Sequence, residues 1–474
     1  MDKITQISEQ LRDLFGPQAE RLGRESGFIQ RQRSLSASAF AQATVFGWLQ
    51  EPTITLGGLT QVLGRLGVHL SEPALWKRLT PQAATFLQRL LEQASAYLVQ
   101  EAAVESALLR RFAAVVVEDS SIITLPAALA GLWPGCGGSQ GSSPAAVKLF
   151  VRWDVLCGRL EGPSLTAGRH SDKRSPFAIE SLPAGCVYLA DLGFYSGRRL
   201  ARLQGHKRAK RYFVSRYQPH TALYDRHGQR LELEDLVPQQ VGQRVETLAV
   251  LAAEHLVVRV LLERVPHEVA EQRRQRLREA AQDEGRELEA QTLWLADWTI
   301  VLTNAPARLL SAEELLVLMR LRWQIEWLFR LWKEQGHLDE WRSLDPWHIL
   351  CELYAKLLAL VLQQWLITVG CWHDPHRSLV KAAQVVRREA GRLMVALSDG
   401  TLERVLGSIV ECMQTGCRLN TRRSAPNTSQ FVAGTPLVWS QPRARPRKKR
   451  RVGEHRWAAG KGWQSAKIRA PVLS

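Results

Sequence analysis

The chain has 474 residues, with 63 Lys+Arg against 46 Asp+Glu, a net charge of +17 and a pI near 9.9. At 45% hydrophobic and 23% charged residues it has the composition of an ordinary globular protein, which excludes disorder throughout and a fibrous repeat. At ~100 to 200 residues per domain, the length suggests two to four domains.

The most apolar long stretch, residues 353–369, is interrupted by Lys356, Gln363 and Gln364. It falls short of the ~18 uninterrupted apolar residues of a spanning helix, so no transmembrane segment is expected. The start, Met1-Asp2-Lys3, lacks the apolar run of a secretory signal, and secretion is not expected either. Seven cysteines stand singly with no C-x-x-C pair, which reads as reduced cytosolic thiols and not as a metal site or disulfide framework. The surplus positive charge attracts polyanions, of which nucleic acid is the commonest in a cytosol. No basic helix with a clean apolar face favours an anionic membrane instead.

Residues 4–93 read as helical. Within them residues 55–66 form a helix, Gly67 a turn, and Ser71 a cap for a second helix carrying Leu75, Trp76, Lys77 and Arg78. This layout suits a helix-turn-helix, and equally a helical hairpin that packs on itself. At Phe112 the period turns extended, and the apolar run 112–117 ends in Glu118 and Asp119, as a buried strand delivering a carboxylate to a sheet edge would. A Gly/Ser-rich loop at 134–143 precedes an extended stretch, 146–156, that can pair with 160–166 as a hairpin. A second strand-then-acid run, 186–190 followed by Asp191, leads into a basic helix over 197–204 and a strand over 212–215. Three extended segments, then helix and strand in alternation, match a ribonuclease-H-like α/β core more closely than a doubly wound sheet. Residues 221–265 are short β-prone runs, read as an all-β insertion, and 267–288 form a charged helix. Trp298 opens another strand. A long helix is expected from Ser311, with Glu314 completing a capping box, to beyond Lys333. Helices follow over 346–371, 376–397 and 401–414, and the tail from Leu419, with seven basic residues between Arg443 and Arg451, is expected to be disordered when free.

On a helical wheel Met319, Arg322, Glu326 and Lys333 fall within ~60° of arc. Leu321, Ile325, Leu328, Phe329 and Trp332 occupy the adjoining arc, so the polar stripe lies on the rim of the buried face. A carboxylate there can face a cleft beside a sheet edge. The same spacing also serves an ordinary Arg-to-Glu surface pair, though in the order less favourable to the helix dipole. Each strand-terminal aspartate, taken singly, could equally start a turn.

The ordered set resembles the DDE transposases of bacterial insertion sequences, in particular the group with a Y-R-E-K helix and a β insertion before it. The matching pieces are Val117-Glu118-Asp119-Ser120-Ser121, residues 189–196 around Asp191, Leu302-Thr303-Asn304, and Arg322 to Glu326 with Lys333. The likeness covers about residues 112–342, with looser agreement in the helical N-terminal region. It implies a catalytic, metal-binding triad of Asp119, Asp191 and Glu326. Such a triad would hold two Mg²⁺ ions, with Mn²⁺ able to substitute, for in-line displacement at phosphorus. Glu118, next to Asp119, should point to the opposite face by strand alternation. The likeness also implies DNA contacts at Arg322 and Lys333 with phosphates, at Met319 in the place of the family's tyrosine, and at Trp298 with a flipped base. A core tryptophan explains Trp298 equally well. Lys148 is a further DNA-contact candidate, or simply an exposed strand residue. Met319 and Leu192, where the family has Tyr and Arg, depart from the pattern without removing a metal ligand.

The implied organisation is a helical DNA-binding region at 1–105 and a catalytic core at 106–218 and 293–345, split by a β-rich insertion at 219–292. A helical dimerisation region at 346–418 and a basic tail at 419–474 complete it. The implied partners are terminal inverted repeats, target DNA and a second copy in a synaptic dimer, in a bacterial cytoplasm at the nucleoid and with no membrane. Two other readings share these residues. One is a ribonuclease-H-fold nuclease that cuts without joining, and the other a decayed or domesticated element that binds DNA without catalysis.

Overall fold

The structure, a computed structural model, describes residues 2–31, 34–136, 143–205, 210–251, 255–285, 287–419 and 428–434. Helices α1 (Lys3–Asp13), α2 (Ala19–Glu25), α3 (Ala37–Gln50), α4 (Leu56–Arg65), α5 (Glu72–Trp76) and α6 (Pro81–Ala96) come first. Ser36, Thr55, Ser71 and Thr80 cap α3 to α6, each side chain accepting a backbone N–H of the first turn. The helix-turn-helix expected here is reduced: after α4, Gly67 turns the chain at a left-handed φ of 74°, and α5 is a single turn. The ring of Trp76 meets that of His348 edge-on at 3.9 Å.

Strands β1 (Val115–Leu125), β2 (Ala145–Asp154) and β3 (Leu160–Ala167) are antiparallel neighbours, the last two joined as the expected hairpin. β4 (Val187–Ala190) runs parallel to β1 and, after α7 (Gly197–Gln204), β5 (Tyr212–Arg216) runs parallel to β4. Then come β6 (Leu223–Tyr224), β7 (Arg230–Leu231), α8 (Leu233–Leu236), β8 (Arg244–Leu251), β9 (Leu256–Arg264), α9 (His267–Glu284), α10 (Ala290–Trp294) and β10 (Trp298–Thr303). All ten strands join in one mixed sheet, in the order β3-β2-β1-β4-β5-β10-β9-β8-β6-β7. The strands within 219–292 therefore continue the sheet outward from β10.

Helices α11 (Ala312–Leu321), α12 (Gln324–Glu334), α13 (Pro346–Cys371), α14 (Leu379–Asp399), α15 (Leu402–Gly416) and α16 (Thr428–Val432) complete the chain. The Ser311–Glu314 capping box forms as expected. The single long helix does not: it breaks at Arg322 and Trp323, between α11 and α12. α13 is, among the described residues, the one helix long and apolar enough to cross a membrane, and its apolar window is wholly buried. α3, α6, α14 and α15 pack around it. One hydrophobic core runs from Ile7 to Cys417 through these helices and one face of the sheet, and a second core lies on the other face beneath α7. The tail expected to be disordered lies mostly outside the described residues, as does the middle of the loop at 134–143.

Candidate active site

Two apolar strands and one helix bring the acids together. In the parallel pairing of β1 with β4, Val115 to Glu118 lie beside Val187 to Ala190, so the next residues on the two strands are Asp119 and Asp191. β4 ends there while β1 runs on, which opens the edge. Alternation along β1 sends Val115 and Val117 into the first core and Val116 into the second. Asp119 shares the face on which α12 packs, and Glu118 takes the other.

Glu326 sits in the first turn of α12 because the helix restarts at Gln324, an arrangement that suits the helix dipole. The break also corrects the single-helix wheel: Met319 is turned into the core at 8% exposure. Lys333, at the far end of α12, donates from Nζ to the Ile122 carbonyl at 3.2 Å.

Arg322 stands at the centre. Its side chain is 3% exposed, Nη2 donates to Glu326 Oε1 at 3.1 Å, and the guanidinium lies 3.6 Å from Asp119 Oδ2 and 3.5 Å from Asp191 Oδ1. Its Nε and Nη1 have no hydrogen-bond partner. Burial pushes Asp119 up to about 7. The Ser120 N–H and Arg322 oppose that rise, and the charges of Asp191 and Glu326 add to it. Glu326 is raised too, by desolvation first. Among the described residues no three acidic, His or Cys side chains enclose a point closely enough to hold a metal ion. The donor chemistry nevertheless fits one: three carboxylates suit a hard divalent cation, and they already converge on a single positive group.

The other expected contacts fall variously. Trp298 is half-buried, its Nε1 donating to the Pro238 carbonyl and its ring 4.2 Å from that of Trp294. It lies two strands from Asp191 and three residues further along its own strand, about 14 Å at ordinary strand spacing and rise. Lys148 is a correction: it is not exposed on its strand but 7% exposed, its Nζ bonded to the His170 carbonyl at 2.6 Å and to Asp172 Oδ1 at 3.0 Å.

Sequence reasoning missed several residues. Arg216, ending β5, is held below the usual arginine range by desolvation and then by the charge of Arg322, and it faces Asp191 and Glu326. Trp323 and Trp327 stand 44% and 53% exposed on either side of Glu326, a signal present in the sequence as tryptophans on an otherwise core-directed helix. Behind the site Glu118 is fully buried between Arg152 and Arg199, accepting from Arg152 Nη2 at 3.1 Å and Arg199 Nη2 at 2.9 Å.

Comparison with known proteins agrees with this geometry. The Transposase DDE domain family matches residues 111–362, which span the β1 aspartate, the β4 aspartate and the α12 glutamate. The chain is 25% identical to the transposase of insertion sequence element IS231B from Bacillus thuringiensis subsp. berliner, over 76% of this chain and 79% of that protein. It is 23% identical to the transposase of IS1151 from Clostridium perfringens, over 77% and 81%. The chain belongs to the DDE transposase family. It is an insertion-sequence transposase, an enzyme of DNA transposition that depends on a divalent metal ion and acts on DNA.

Proposed function

We propose that this transposase moves its element by cut and paste, and that Asp119, Asp191 and Glu326 are its catalytic and metal-binding residues. The observation that carries the reading is the convergence of the three carboxylates on Arg322, within 3.1 to 3.6 Å of one guanidinium. The carboxylates would hold Mg²⁺, with Mn²⁺ as a substitute and two ions per site. The ions would supply an activated water or 3′-hydroxyl and charge relief at the leaving oxygen.

Arg322, whose Nε and Nη1 have no hydrogen-bond partner, would then turn its fork to a phosphate of the cut strand. Lys333, at the rim between α12 and β1, would steady a neighbouring phosphate as a point charge. Trp298 would receive an unstacked base at the same sheet edge. Met319 and Lys148, both buried, would act through the packing of α11 and of the loop after β3.

In this reading the ribonuclease-H-like core at 106–218 and 293–345 cuts and joins, and the strands of 219–292 are its β insertion. The helices of 1–105 recognise terminal inverted repeats, those of 346–418 contribute to a dimeric synaptic complex with target DNA, and the basic tail adds affinity at the nucleoid. The test is cleavage of DNA carrying the element's own ends, with Mg²⁺ or Mn²⁺, beside Glu326→Gln. Nicking at the boundary that the variant abolishes while still binding the DNA supports the reading; cleavage retained by the variant refutes the site.

A further inference from the structure

The segment after β3 carries Arg169, Lys173 and Arg174 at the surface. No hydrogen bond or ion pair engages these three side chains among the described residues. We propose that this segment is a binding site for the DNA phosphate backbone beside the acids, held in place by the buried Lys148–Asp172 ion pair. The proposal rests on the reading of Asp119, Asp191 and Glu326 given above.

Asp172 ties the segment to β1 and β2 and packs against the turn after Asp191. Its Oδ1 accepts from Ser120 Oγ at 2.8 Å and from Lys148 Nζ at 3.0 Å, and the Ser120 N–H in turn donates to Asp119 Oδ1 at 2.8 Å. Its Oδ2 would lie 2.9 Å from a Cβ on Gly193, two residues past Asp191, so a side chain there would push the carboxylate from its partners. The segment is also closed on itself and on β2. Gly168 donates to the Ala146 carbonyl at 2.7 Å, and a Cβ there would come within 2.5 Å of the Ala146 side chain. The His170 ring bonds the Arg174 carbonyl through Nε2 at 2.6 Å and stands edge-on to Phe150.

Burying a lysine costs desolvation, and this one is spent on an acid and a carbonyl of the same segment. The pairing cancels the one negative charge in the segment and leaves its outward cations as the net charge. Lys173 adjoins Asp172, whose carboxylate is joined through Ser120 to Asp119, so its ammonium lies within about 20 Å of Asp119, a few nucleotides along a strand. A rigid, charge-cleared loop at that distance suits a backbone that must be held while a neighbouring phosphodiester reacts.

The test uses the full chain in a Glu326→Gln background, so that DNA is bound and not cut. Binding of a duplex carrying the terminal repeat is titrated against salt for this parent, for Arg169→Ala/Lys173→Ala/Arg174→Ala, and for Asp172→Asn. The triple variant should keep the parent's melting temperature, lose on the order of tenfold or more in affinity, and lose about one unit of salt slope per cation. Asp172→Asn removes a negative charge and should nonetheless weaken binding, because the anchor is gone; simple electrostatics requires the opposite sign. If end binding is unchanged but pre-cleaved ends no longer join to a target duplex, with the triple variant in a Glu326 background, the phosphates belong to target DNA. Unchanged affinity, slope and joining in the triple variant overturn the proposal while leaving the triad reading intact. A parent that binds no DNA would sink both.

Discussion

Each residue of the site answers to a charge balance. Asp119 keeps its proton up to about 7, whereas an aspartate in an unfolded chain loses it near 4. Between those values unfolding releases the proton, so stability falls as pH rises from about 4 to 7. Asp119→Asn cannot ionise; thermal melts across this range should show a flatter profile and, at pH 8, a higher melting temperature than the parent. Glu118 tests the opposite face of the strand. Its removal leaves Arg152 and Arg199 as buried, uncompensated charges, and Glu118→Ala should lower stability by about 3–5 kcal/mol in a denaturant titration. A variant as stable as the parent would show that water reaches the two guanidinium groups.

At the scale of elements, the turn between β2 and β3 fastens the sheet to α13. Gly158 there has a φ of 78°, and a Cβ would come within 2.8 Å of the Trp372 ring. Gly158→Ala should therefore cost about 2–4 kcal/mol, read from the shift in denaturation midpoint. Much at this scale was legible in the sequence. The strands at 115–119, 187–190 and 298–303 announced themselves as short apolar runs, and the cap at Ser311 as a serine three residues before Glu314. The break at Arg322 was not, because the hydrophobic spacing continues across it and only the fit of α12 against β1 decides where the axis bends. Nor was Lys148, whose burial depends on the path of an irregular loop that no periodicity fixes. The three converging acids stood out through their order and the resemblance to the DDE transposases, since each strand-terminal acid alone could equally start a turn. Asp172 was hidden because its neighbours are distant in the chain.

Across the whole molecule, α13 is the shared support of the N-terminal helices, the sheet and the C-terminal helices. Leu358 is fully buried on it, and Leu358→Ala should cost about 2–5 kcal/mol and lower one common melting transition followed by circular dichroism and by tryptophan fluorescence. Separate transitions in the two signals would mean that the segments fold independently. Charge is distributed less evenly than packing. Beyond Gly434 the sequence holds eleven Lys and Arg against one acid, Glu454. A chain ending at Gly434 should keep its melting temperature but bind random-sequence duplex more weakly and with a shallower salt dependence, measured by fluorescence anisotropy.

The guanidinium at the centre of the acids has a consequence for how the protein is handled. Because Arg322 already holds the three carboxylates together, the resting fold does not depend on an ion for its cohesion. Chelator treatment during purification should therefore switch the protein off without loosening it, and restoring Mg²⁺ should return activity at once, with no refolding delay.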